Sequence, residues 1–224
     1  MSYSPHSPRA ARRAALVASM QEPQSLDDPD AWASVVQAAN PAALLVAIRA
    51  RLGPALAALV LPDDIWQETL LRAWRQRASL QWLGISAFRR WLLSIAEHCI
   101  EDSRDHWKAG KRDAARTRRF ADAADAEGAV EPWASTTPSR IAAAREMAAA
   151  MQTALESLPD DVRDVVRLRL FDELTIEEVA ARLGLGESAV RHRFRRGAEH
   201  YRDRLRDLIT TSRRPPTADE STTG

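Results

Sequence analysis

The stretch Thr175–Leu205, TIEEVAARLGLGESAVRHRFRRGAEHYRDRL, leaves the chain few ways to fold. Thr175 with Glu178 three residues on matches a capping box, in which the hydroxyl accepts from a backbone N–H of the first turn while the carboxylate reaches back. A helix is therefore predicted to start there. Val179, Ala180 and Leu183 give it an inward face at helical spacing, and Gly184 follows where the chain must turn through a conformation that disfavours a side chain. Leu185 plugs the turn. A second helix begins near Gly186 to Ser188, with Val190, Phe194, Ala198, Tyr201, Leu205 and Leu208 recurring at three- and four-residue steps as one buried stripe. Ser188, Arg191, His192, Arg195 and Glu199 fall opposite that stripe, with Arg196 and Arg202 flanking. A guanidinium in such a position can grip a phosphate or the edge of a guanine at two points. A short helix, a tight turn and a long arginine-rich helix is the pattern by which one helix is laid in the major groove of DNA. A merely solvated arginine-rich helix would explain the charge. It would not explain the spacing of Ala180, Gly184, Leu185 and Val190. Glu187 and Glu199 are compatible with DNA, because carboxylates fix neighbouring arginines or reject wrong bases by repulsion.

Few glycines, much alanine and long amphipathic stretches across 224 residues predict an all-α protein. The formal net charge is only +1, so nucleic-acid binding must come from local segregation of charge. That segregation is present: Arg104, Lys108, Lys111, Arg112, Arg116, Arg118 and Arg119 form one basic run and Arg191 to Arg206 another. Cys99 is the one cysteine, which excludes an intramolecular disulfide and a cysteine zinc site and fits a reducing cytoplasm. No apolar run reaches the roughly 18 to 20 residues that span a bilayer. RAARRAALVASM, Arg9–Met20, is too short in its apolar part to be a targeting segment and is followed by Glu22, Pro23, Asp27 and Asp28. No catalytic constellation, glycine-rich phosphate loop or metal-ligand spacing among the five histidines is found, so the expectation is a non-enzyme without cofactor, metal or small-molecule substrate.

Residues 1–30, rich in Pro, Ser and Arg, read as a disordered extension, with order beginning at Trp32. Pro41–Val60 is an apolar helix pair or one helix kinked at Gly53–Pro54. A helix from Asp63 to about Arg77 has acidic residues in its first turn. Arg77–Ser86 is a loop with a short apolar insertion, and a long helix runs from Ala87 to Ala109 with Phe88, Trp91, Leu92, Ile95 and Cys99 as its stripe, ended by Gly110. Residues 113–138 are a linker by composition. Residues 139–210 form a second helical domain with helices Arg140–Ser157 and Pro159 to about Phe171 before the helix-turn-helix, and residues 211–224 are a polar tail. The expected architecture is two small helical domains, 31–112 and 139–210, joined by a flexible linker.

Three patches carry a family resemblance. DDIWQETLLRAW, Asp63–Trp74, AFRRWLLSIAEHCIEDSRDHWKAGKR, Ala87–Arg112, and the segment from Leu158-Pro159 to the arginine-rich helix stand in one order and spacing. Over about Pro41–Arg112 and Ser139–Leu208 the chain resembles a bacterial RNA polymerase sigma factor of the sigma-70 family, in its small extracytoplasmic-function group. The resemblance implies that residues 31–112 are the domain (region 2) that binds core polymerase and recognises and melts the −10 element, and residues 139–210 the domain (region 4) that reads the −35 element. It implies core RNA polymerase, through its largest-subunit clamp and its flap region, and promoter DNA as partners. Anti-sigma proteins restrain members of the group, although no residue here advertises one.

On that basis Asp64, Gln67, Glu68, Arg72 and Arg75, a polar stripe of the Asp63–Arg77 helix, are the candidates for docking on the polymerase clamp. For the −10 element, opening a duplex needs a basic track for phosphates and surfaces on which an unstacked base can sit. Arg89, Arg90, Arg104, Lys108, Lys111 and Arg112 supply the track, and Trp82, in the loop where the family captures an extruded base, supplies a surface. Trp107 is a second candidate surface, whereas Trp91 beside Phe88 and Ile95 fits a core role better. Ser188, Arg191, His192, Arg195 and Arg196 are the −35 candidates. Departures from the family pattern at Glu97, His98 and Gly186 block transfer of any promoter sequence. A conventional helix-turn-helix regulator would account for the C-terminal half but leave the QETLLRAW helix without purpose. A helical interaction module would leave the basic helix unexplained.

Overall fold

The computed structural model describes residues 26–113 and 138–212, with side chains described for 26–109 and 139–211. Among these residues it contains eight α-helices: α1 (Pro29–Ala38), α2 (Pro41–Ala57), α3 (Pro62–Gln76), α4 (Ile85–Asp113), α5 (Pro138–Glu156), α6 (Asp160–Leu170), α7 (Ile176–Leu183) and α8 (Glu187–Ser212). One 3₁₀ turn, Arg77–Ser79, follows α3. The all-α expectation holds. Arg116, Arg118 and Arg119, the Arg9–Met20 stretch, most of the 113–138 linker and all but the start of the 211–224 tail lie outside the described residues. The chain divides into two compact units, 1–145 with Phe171–Glu173, and 146–170 with 174–224.

In the first unit order starts earlier than the Trp32 expected from composition. Asp28 caps α1, its Oδ2 accepting from the Ala31 N–H at 2.8 Å, and the helix begins at Pro29. Asn40 caps α2 in the left-handed region at φ 60°, a conformation asparagine tolerates better than most residues. α2 is buried along most of its length and breaks at Gly53, with φ 67° and ψ 166°. Pro54 explains the break, since it lacks an N–H and pushes its predecessor into an extended ψ, and only glycine takes the positive φ cheaply. The Gly53–Pro54 signal was thus a real interruption.

α3 and α4 complete the bundle. Trp32, at 1% exposure, stands at its aromatic centre, edge-on to Trp74 at 5.5 Å and to Phe88 at 5.7 Å. Such edge-to-face pairs add to the burial of the rings themselves. Phe88, Leu92, Ile95, Ala96, Cys99 and Ile100 give α4 its buried stripe, and burial raises the Cys99 thiol pKa. α4 begins at Ile85 rather than Ala87, and it does not stop at Gly110 but continues to Asp113. One glycine costs a helix only about 1 kcal/mol, which an established helix absorbs. Among the described residues no single helix is long and apolar enough to cross a membrane. α1 and α2 pass that composition test only together, and they meet at a bend of 66°.

The second unit is built on Val165, Leu168, Val179, Ala180 and Val190, with Leu174, Ile176, Leu183, Leu185 and Phe194 packed around them. α6 and α8 leave no room for a side chain at Gly197. A Cβ built there would lie 2.6 Å from Val166 Cγ2 and 3.2 Å from Val162 Cβ. Both valines are fully buried and stiff about χ1, so they cannot swing aside. Gly197→Ala is therefore expected to lower stability by about 1–3 kcal/mol through overpacking, despite the helix propensity that alanine would otherwise add. A lower melting temperature in thermal unfolding checks this, and a gain in stability would show that the helices have room.

Candidate nucleic-acid interface

α7 and α8 are positioned by local chemistry that repeats the sequence signal. The capping box is complete: Thr175 Oγ1 accepts from the Glu178 N–H at 3.2 Å and Glu178 Oε2 from the Thr175 N–H at 2.6 Å. Gly184 ends α7 at φ 64°, and the Leu185 N–H closes the turn on the Ala180 carbonyl at 3.0 Å. Arg169 adds a support that the periodicity did not reveal. Its Nη1 donates to the Leu174 carbonyl and its guanidinium lies 5.5 Å from the centre of the Phe194 ring. The loop before the helix-turn-helix and the long helix are thereby tied to α6.

α8 buries Val190, Gly197 and Tyr201, and burial raises the Tyr201 phenol pKa. Its opposite face is exposed and holds all five −35 candidates together: Ser188, Arg191, His192, Arg195 and Arg196. They are not equivalent. Arg191 Nη2 donates to Glu187 Oε2 one turn earlier at 2.6 Å, and Arg196 Nη2 donates to Asp161 Oδ2 of α6, also at 2.6 Å. Ser188, His192 and Arg195 occupy the middle of the face, between those two flanking pairs. The α8 surface can therefore offer a polar centre to base edges, with guanidiniums at its borders. Asp161 escaped the sequence reading because an acid in the first turn of a helix is already explained by the helix dipole, and its partner stands 35 positions away.

In the first unit the polar residues of α3 face outward as expected, but not as an open row. Asp64, Gln67 and Arg75 are exposed, whereas Glu68 and Arg72 are half-buried. Arg72 donates to Glu68 Oε1 and to Asp102 Oδ2 of α4, each at 2.6 Å. These carboxylates, Asp102 first, hold its pKa above the ordinary arginine value. Arg72 thus ties α3 to α4 while standing in the docking stripe. Arg77, next to this stripe, lies over the Trp74 ring at 3.8 Å and pairs with Asp27 at 2.9 Å.

The −10 candidates divide. Arg90, Arg104 and Lys108 are exposed and share one side of α4, along a track of about 27 Å at 1.5 Å per residue. Lys108 pairs with Asp105 at 3.2 Å. Arg89 is not with them. It stands seven and eleven residues before Ala96 and Ile100, so its side chain leaves the helix at the edge of the buried stripe. It is only 16% exposed, pairs with Glu173 at 2.5 Å, and burial lowers its pKa. Trp82 is half-buried in the segment before α4, its ring 5.8 Å from Phe88 and tilted by 43°. Its indole N–H is buried without a hydrogen-bond partner. Trp91 packs on Phe88 at 5.7 Å, and Trp107 is exposed. Lys111 and Arg112 belong to α4, but their side chains lie outside the described residues.

Comparison with known proteins adds independent observations. The family model described as "Sigma-70, region 4" matches residues 148–200, which contain α6, α7 and the first half of α8. The chain is similar to the "ECF RNA polymerase sigma-E factor" of Escherichia coli (strain K12), at 29% identity over 147 residues, covering 65% of this chain and 74% of that protein. The protein of the same name from Salmonella typhimurium (strain LT2) shows the same identity and coverage. The "Probable RNA polymerase sigma factor RfaY" of Xanthomonas campestris pv. campestris is 31% identical over 149 residues, which is 66% of this chain but 35% of that protein.

The capping box should matter to the orientation of the whole helix-turn-helix. Thr175→Ala is expected to cost about 1 kcal/mol of stability, measured by urea denaturation. An unchanged midpoint would show that the Glu178 carboxylate alone suffices.

Proposed function

This chain belongs to the sigma-70 family of RNA polymerase sigma factors, in its extracytoplasmic-function group, and on that premise we propose how its two units divide the work of promoter recognition. The factor binds core polymerase and directs it to promoters, with no catalytic chemistry of its own, in the cytoplasm where polymerase and DNA meet. The second unit reads the −35 element through Ser188, Arg191, His192, Arg195 and Arg196. The observation that carries this reading is the exposed face of α8, gathered by a complete helix-turn-helix into one polar strip with arginines on it.

The first unit makes the other contacts. Asp64, Gln67, Glu68 and Arg75 dock on the clamp of the largest polymerase subunit, with Arg72 holding Glu68 in position. Arg90, Arg104 and Lys108, continued by Lys111 and Arg112, track the phosphates of the −10 region, and Trp82 offers a surface to an unpaired base. Arg89 serves the −10 region only after leaving its buried pair, so its role is secondary. A promoter grip at two points also explains how one recognition helix suffices without a symmetric dimer, since polymerase supplies the remaining affinity. An anti-sigma partner would act by covering these same faces.

Run-off transcription with purified core enzyme and a library of upstream DNA tests the reading. Initiation at defined sites is the expected result, and duplex binding without initiation would overturn it. In the same assay Arg195→Ala should cost about 1–3 kcal/mol with relaxed selectivity at one base pair. A loss uniform across sequences would instead assign Arg195 to a phosphate. Gln67→Ala with Glu68→Ala should weaken association with core polymerase while the thermal unfolding of the domain is retained. Unchanged core affinity would count against the docking stripe.

A further inference from the structure

A close helix contact in the second unit lies directly beside one of its ion pairs. Gly197 meets Val162 and Val166, and the residues next in sequence to that contact, Arg196 and Asp161, are the two that pair at 2.6 Å. The position of the pair is thus set by a buried contact rather than by two long side chains meeting on a surface. Asp161 is a short side chain in the first turn of α6, with little freedom to follow Arg196 elsewhere. Arg191 differs, because Glu187 sits on the same helix one turn away and travels with it.

We infer that Asp161 is a positioning residue for DNA recognition: its carboxylate stands in for a backbone phosphate and holds Arg196 back from sequence-independent binding. The inference rests on the reading of α8 as the DNA-facing helix. Non-specific affinity comes almost wholly from cations that neutralise phosphates and release counterions. A guanidinium already neutralised by a carboxylate contributes nothing to that until the pair opens. Arg196 and Asp161 side chains are 46% and 48% exposed, so the pair is weak enough to open when a correctly seated helix presents a phosphate in its place. A chain of net charge +1 with many arginines on one helix gains selectivity from such a restraint, since the cost falls on every wrong site alike.

The test is fluorescence anisotropy of the full chain on a labelled mixed-sequence duplex between about 50 and 200 mM salt. Asp161→Asn should tighten binding about two- to fivefold, the range set by an exposed pair, and steepen the salt dependence by about one unit, for one more neutralised phosphate. Asp161→Glu, which keeps the carboxylate, should stay close to the unsubstituted chain. The tightening should vanish when Arg196→Ala is present as well. Equal tightening with and without Arg196 would mean that only the long-range charge of Asp161 matters, and would overturn the inference while leaving the DNA-reading helix intact. An unchanged affinity and slope in Asp161→Asn would overturn it too. If no form of the chain bound duplex at any salt, the reading of α8 itself would fall, and the inference with it.

Discussion

The second unit depends on the approach of α6 to α8 at Gly197. A recognition helix is useful only if its exposed face is held at a fixed angle, and a helix packed through a side-chain-free position lets stiff side chains of its neighbour seat directly against its backbone. Val162 and Val166 fill that contact, and everything around it follows. α7 is docked by the core of Val165, Leu168, Val179, Ala180 and Val190, and the turn between α7 and α8 is fixed at Gly184. Arg169 then fastens the loop ahead of α7 through the Leu174 carbonyl. With these in place α8 has one orientation available, and its arginines have defined starting points.

The first unit solves a different problem. It presents two polar surfaces, on α3 and on α4, from one small bundle. An aromatic centre of Trp32, Trp74 and Phe88 lets it do so, because a few large rings bury enough apolar area to leave the outer faces of both helices free for charge. α1 belongs to that arrangement, since Trp32 is its contribution. Without α1 the rings of Trp74 and Phe88 would lose the partner that meets both.

Charge is handled in both units by pairing. Arg72 with Glu68 and Asp102, Arg191 with Glu187, and Arg196 with Asp161 are each close carboxylate contacts at or near the polar faces of α3 and α8. Exposed pairs of this kind add little stability, typically less than about 1 kcal/mol. Their consequence is positional. They restrict where the guanidiniums point, in a chain whose net charge is only +1 despite its basic helices.

Sequence alone determined what local rules control. The capping box at Thr175 and Glu178, the turn at Gly184, the break at Gly53–Pro54 and the exposed strip of α8 were all legible, because each follows from the chemistry of residues a few positions apart. Local rules were weaker at helix ends: Asp28 started α1 ahead of Trp32, and Gly110 did not stop α4, since a single cap or glycine shifts a boundary by about 1 kcal/mol and neighbouring turns decide the outcome. What only the tertiary structure decided was which arginines are already engaged. Arg89 turned toward the buried side of α4, Arg72 was claimed by Asp102 and Arg196 by Asp161. Those partners lie 84, 30 and 35 positions away, and no periodicity within one helix can report a carboxylate brought up by a distant segment.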